Sequence, residues 1–219
     1  MAPAGDAAGA AARRLTRAVG WPRARVRAAA IQAAARALLA QVNEARKRSD
    51  WVGARRLISD LQQSYPSTRA AESAQPILTE IAIVGAPAPA VAATAWFTRP
   101  GSLTDARTTI LVFWEEWCPH SQQEVPKLPG IRARHAAQGV QVIALTRVTR
   151  SSTDAAVRDF VARHGLDAIA VGKDSAGAIA AAYPVQGIPA AAVVRDGRVI
   201  WRGHPAMLTE EVVATLAAD

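Results

Sequence analysis

Residues 109–126 read TILVFWEEWCPHSQQEVP, and this stretch limits the folds open to the chain more than any other. Ile110, Leu111, Val112, Phe113 and Trp114 form an unbroken apolar run rich in β-branched and aromatic side chains. Such a run predicts a central strand covered on both faces. Cys118 and Pro119 follow, and proline's preset φ suits the first position of a helix. The order strand, cysteine, helix places the thiol near unpaired backbone N–H groups and the positive end of a helix dipole, both of which favour a thiolate. Cys118 is the only cysteine in the chain. That excludes an intramolecular disulfide and a Cys-rich zinc site.

A chain of 219 residues has room for one ordinary domain of about 100–150 residues and a smaller unit. Three segments are expected: a disordered basic tail over 1–22, a helical hairpin over 23–84 and an α/β domain over 85–219. The formal charge of +8 is uneven, with 10 Lys/Arg against 3 Asp/Glu in residues 1–50 and near balance beyond. The basicity thus belongs to the N-terminal fifty residues, read as a solvated segment, and no nucleic-acid partner is expected. No apolar run reaches the roughly 18 residues a membrane span needs. Arg23, Arg25 and Arg27 interrupt what would be the apolar part of a signal peptide, so none is evident.

In the hairpin segment, Val26, Ile31, Leu38, Leu39 and Val42 form a loose apolar stripe. Asp50 is an N-cap for a second helix in which Trp51, Ala54, Leu57, Ile58 and Leu61 recur at helical spacing. Tyr65-Pro66 ends it, Ser67 caps a third helix, and Pro76 bends or interrupts that helix. This part resembles little more than one tetratricopeptide-type repeat, and a plain helical appendage is an equal reading. Beyond Gly85-Ala86-Pro87-Ala88-Pro89, a composition break, strands are expected at 91–97, at the Cys118 stretch, at 139–146 and at 169–171. Helices are expected after Pro119, over 154–165, over 176–183 and after Thr209. Residues 190–194 and 198–201 read as strands joined by Arg195-Asp196-Gly197, since Asp-Gly is a strong hairpin signal. Strands alternating with helices and closing in a hairpin indicate a mixed sheet in an α/β layered domain.

That order, with Val84–Pro89 at the entry, Phe113–Cys118 at the site, Glu124 and Pro126 in the next helix and Gly187-Ile188-Pro189 before the hairpin, resembles the thioredoxin fold. Within it, the chain resembles the TlpA-like thiol–disulfide oxidoreductases. The resemblance implies a nucleophilic Cys118, tuned by His120 and shielded by Trp117. It implies a cis Ile188–Pro189 bond set against Cys118, with Trp117, Pro119, Ile188 and Pro189 forming the substrate surface. Glu116 is the candidate proton relay. His135, His164 and His204 have no metal-ligand spacing and read as surface residues. No cofactor and no metal are expected.

The chain departs from that family at Ser121, where the resolving cysteine belongs. Cys118 can attack a disulfide, but no second thiol in the chain can resolve the adduct. Ser121 remains able to donate a hydrogen bond to the Cys118 thiolate. The leading expectation is monothiol exchange with protein thiols or disulfides, resolved by an outside thiol or reductant. The alternative is a redox-inactive binding module. A peroxidase is disfavoured by Glu-Glu-Trp before the cysteine, and an iron–sulfur glutaredoxin by Pro119-His120 after it. The family resemblance implies a periplasmic or other extracytoplasmic location, with the cytoplasm as the alternative.

Overall fold

The run Thr108–Trp114 forms strand β2, and every one of its residues is buried. This is the outcome expected of an apolar run with no polar alternation: a strand covered on both faces. A computed structural model of the chain describes residues 7–149 and 151–218, with side chains from residue 23 onward. Among the described residues, six strands form one mixed sheet in the order β1-β4-β3-β2-β5-β6. They are β1 (Ala95–Trp96), β2, β3 (Val140–Thr146), β4 (Ala170–Lys173), β5 (Ala190–Arg195) and β6 (Arg198–Gly203). Strand β2 lies parallel to β3, with Ile110 opposite Val142. It lies antiparallel to β5, with Leu111 opposite Ala192. Strands β5 and β6 form the expected hairpin. Its Asp196 and Gly197 both have positive φ, 47° and 75°, as the two-residue turn that matches strand twist requires.

Alternation along β2 divides its side chains between two layers. Leu111 and Phe113 enter a cluster with Ile143, Leu145, Tyr183 and Val199, where the Phe113 and Tyr183 rings stand 5.5 Å apart. On the other face Trp114 meets Phe160 at 5.0 Å. Phe160 lies in α6 (Asp154–Arg163), which Thr153 caps by accepting from Ala156 N–H.

The helix after Cys118 is shorter than its sequence suggests. Helix α4 covers only Pro119–Glu124, a 3₁₀ turn covers Val125–Lys127, and α5 resumes over Leu128–His135. Pro126 and Pro129 explain the break, because neither can donate to the carbonyl four residues back. Helix α7 (Ala178–Ala182) is likewise shorter than expected, and of residues 91–97 only β1 becomes strand. The last helix, α8 (Glu210–Ala218), starts after Thr209, whose Oγ1 accepts from Val212 N–H.

The chain divides into two compact units, residues 1–75 and 76–219. In the first, α1 (Ala7–Lys47) and α2 (Trp51–Ser64) pack together. Asp50 caps α2 as expected, accepting from Gly53 N–H. Helix α1 starts at Ala7, so residues 7–22 of the expected disordered tail are helical; residues 1–6 lie outside the described residues. Among its described side chains, Ala35, Val42 and Ala45 are buried, whereas Val26 and Ile31 are exposed. Helix α3 (Arg69–Ile81) contains Pro76 without ending there. Its cap is Thr68 rather than Ser67, with Thr68 Oγ1 accepting from Ala71 N–H. The division falls at Pro76, not Gly85. Beyond Pro76 the chain already belongs to the sheet: Ile83 joins its core, Gly85 N–H bonds Val199 O, and Glu80 pairs with Arg202.

Candidate functional site around Cys118

The turn from β2 into α4 sets the cysteine. Cys118 N–H donates to Glu115 O at 3.1 Å and Cys118 O accepts from Gln122 N–H at 3.0 Å. Cys118 is the N-cap residue of α4, with extended backbone, and Pro119 begins the helix. The Cys118 thiol donates to Ile188 O at 3.7 Å. The Ile188–Pro189 peptide is cis. The structure therefore brings together Cys118 and Ile188, residues 70 positions apart. The cysteine is 6% exposed, while Trp117 beside it is 47% exposed. Pro119 and His120 are exposed and Pro189 is buried.

Ser121 behaves differently from its sequence reading. It is fully buried, and its hydroxyl has no hydrogen-bond partner among the described residues. The expected bond to the Cys118 sulfur is not formed. A buried hydroxyl without a partner costs about 1–3 kcal/mol. The Glu116 carboxylate lies against Ser152, accepting from its Oγ at 2.7 Å.

Glu115 is a residue whose importance the sequence leaves open. It is 1% exposed and accepts from Trp117 Nε1 at 2.6 Å and Thr149 Oγ1 at 3.2 Å. Arg147 adds Nε at 3.1 Å and Nη2 at 2.9 Å, both to Oε1. A buried carboxylate requires such partners. Here they also fasten the exposed Trp117 indole to the end of β3. A groove of about 370 Å³ opens there, walled by Trp117, Arg147, Gly177, Val185, Gln186 and Ile188.

Two of the histidines taken as surface residues are not. His135 is 6% exposed, with Nδ1 2.6 Å from Gln138 Oε1 and Nε2 2.9 Å from Glu210 Oε2. His204 is half-buried. Burial first, and then the charges of His120 and Lys127, hold it below its ordinary value against the opposing pull of Glu124 and Glu80. Tyr183, buried in the core with its hydroxyl donating to Pro89 O at 2.8 Å, is pushed well above the usual phenol range by burial. Among the described residues, no group of three or more His, Cys, Asp and Glu is arranged to hold a metal.

A mixed sheet with a cysteine at the carboxyl end of a central strand, facing a cis-proline loop that precedes a hairpin, defines a thioredoxin-like protein. More particularly, the chain belongs to the AhpC/TSA family, whose model matches residues 84–202. It is similar to the thiol-disulfide oxidoreductase ResA of Bacillus thuringiensis subsp. konkukian, with 33% identity over 91 residues, covering 41% of this chain and 50% of that protein. It is also similar to the sporulation thiol-disulfide oxidoreductase A of Bacillus subtilis, with 26% identity over 88 residues, covering 40% of this chain and 53% of that protein. The chain thus spans about half the length of the curated relatives it matches. Among solved structures, a thioredoxin-like protein in its oxidised form superposes with a TM-score of 0.53 at 19% identity, over 60% of this chain and 95% of that one. The thioredoxin domain of a thiol-disulfide oxidoreductase from Bacteroides vulgatus gives 0.50 at 15%, over 62% and 96%. These two likenesses concern the fold. No helix among the described residues is long and apolar enough to cross a membrane.

Proposed function

We propose that the protein takes part in thiol–disulfide exchange with protein substrates through Cys118 alone. The observation that carries this reading is the Cys118 sulfur held 3.7 Å from Ile188 O, between the start of α4 and the proline loop. In the proposed step the Cys118 thiolate attacks one sulfur of a substrate disulfide. A new bond forms between Cys118 and that sulfur, the old disulfide bond breaks, and the second substrate sulfur leaves as a thiolate. An external thiolate then attacks the mixed disulfide and releases Cys118. Trp117, Pro119, Ile188 and Pro189 form the docking surface in this reading, and His120, when protonated, adds positive charge near the thiol.

The test is adduct formation with a peptide disulfide, followed by intact mass. One peptide per chain is expected, lost on adding reductant and absent in Cys118→Ala. No adduct with excess disulfide sinks the reading. The burial of Cys118 favours a second reading, a thioredoxin-fold module that binds partners without redox chemistry. It predicts that Cys118→Ala leaves partner capture unchanged. By family likeness we also propose that the protein works outside the cytoplasm, a proposal that fractionation of the native cell would test.

A further inference from the structure

The loop 184–189 that carries Ile188 has few ties of its own. Within residues 186–189, the hydrogen bond from the Cys118 thiol to Ile188 O is the only one among the described residues. The loop is held at its ends, and both ends converge on a single side chain. Arg202, in β6, is 1% exposed. Its Nε donates to Tyr183 O, just before the loop, at 3.2 Å. Its Nη1 donates to Ala191 O, just after the loop, at 3.0 Å. Nη1 also lies 3.2 Å from Glu80 Oε1 and 3.4 Å from Gly203 O. Burying a guanidinium is costly, and for stability alone an apolar residue of similar volume is often as good. A planar fork with several donors does what an apolar residue cannot: it fixes two carbonyls at a set separation.

We infer that Arg202 is a positioning residue for exchange, holding the proline loop at the distance from Cys118 that an extended peptide substrate requires. This rests on the exchange reading proposed above. The Ile188 main chain would pair with the substrate backbone, so the loop's position matters for a peptide and hardly at all for a small disulfide with no backbone.

The test compares the rate at which Cys118 attacks a disulfide-linked peptide dimer with its rate on dithiodipyridine, together with melting temperature. Arg202→Met is expected to slow the peptide reaction about 10- to 100-fold, the scale of small misplacements, and to leave the dithiodipyridine rate within about twofold. Arg202→Lys restores part of the peptide rate. If Arg202→Met does not fold, Arg202→Lys carries the test, and its peptide rate must fall more than its dithiodipyridine rate. Glu80→Gln, which leaves both loop carbonyls bonded, matches the wild type on both. Equal losses on the two disulfides, an unchanged peptide rate, or a Glu80→Gln variant as slow as Arg202→Met each overturn the inference. A wild-type protein that attacks neither disulfide sinks the exchange reading itself, and the inference with it.

Discussion

Replacing Ser121 by cysteine should convert the site from a single thiol into a closing pair. The hydroxyl of Ser121 is fully buried and without a partner among the described residues, a state that costs about 1–3 kcal/mol. A cysteine is close to it in size and behaves as a small hydrophobe, so reduced Ser121→Cys should gain about 1 kcal/mol, or about 2–4 °C in melting temperature. Geometry then decides whether the two sulfurs can join. Helical rise and radius put Cα atoms three residues apart at about 5 Å, within the range that disulfides span. Oxidation with glutathione disulfide should therefore remove both thiols of Ser121→Cys and lower its intact mass by two hydrogens, without an adduct. The wild type under the same conditions should keep one thiol or carry one glutathione. Two thiols persisting in the oxidised variant would refute the placement of Ser121 beside Cys118. A reduced variant that melts below the wild type would refute the account of the buried hydroxyl.

Leu111→Ala removes a fully buried side chain from the central strand and should cost about 2–5 kcal/mol in denaturant unfolding; a loss well below that range would mean the core cluster is not where the fold is held. Glu115→Gln keeps the shape and removes the charge that Arg147 and Trp117 share. Because Arg147 is 48% exposed, it can rehydrate, so the expected loss is only about 1 kcal/mol, and a variant more stable than the wild type would show the network to be unfavourable. Glu210 links α8 to α5 through Arg134 and His135. Desolvation would raise its carboxyl, but the bonds and charges of His135 and Arg134 outweigh it and hold it below its ordinary 4.5. A lowered folded-state value stabilises above the unfolded value and is lost as pH falls through the folded one. Melting temperature should thus fall more steeply below pH 4.5 in the wild type than in Glu210→Gln, and parallel slopes would contradict this.

Much of the fold is written in local pattern. The apolar run of β2 has no polar alternation, so only a strand buried on both faces accommodates it. Asp196-Gly197 supplies two residues that tolerate positive φ, and the hairpin forms there. Asp50 and Thr209 cap helices because each has a short side chain able to reach back to a free N–H. Where the reading missed, two local rules competed or a tertiary contact prevailed. Pro126 and Pro129 interrupt a helix that composition alone would continue. Thr68 and Ser67 are both good caps, and the backbone chose Thr68. The run Ala86–Pro89 looks like a linker, yet Ala88 N–H bonds Gly197 O, and Ile83 just before it is in the core.

The site shows the same division at a finer scale. Cys118 could be placed from its strand-to-helix turn, and its pairing with Pro189 was implied by the resemblance to the thioredoxin fold. The charged residues that hold those joints leave no such mark. Arg147 follows β3 and Arg202 is the last residue but one of β6, positions where an arginine normally reads as the solvent end of a strand. Their roles come from sheet order. Because β3 and β5 flank β2 on opposite sides, the end of β3 delivers Arg147 to Glu115, under Trp117. The far side of the sheet delivers Arg202 to both ends of the Ile188 loop. Cys118 lies between these two anchors, at the carboxyl end of β2, where open α/β sheets place their ligands. The position of Cys118 is thus legible in one dimension, while the charged residues packed around it become visible only once the strand order is known.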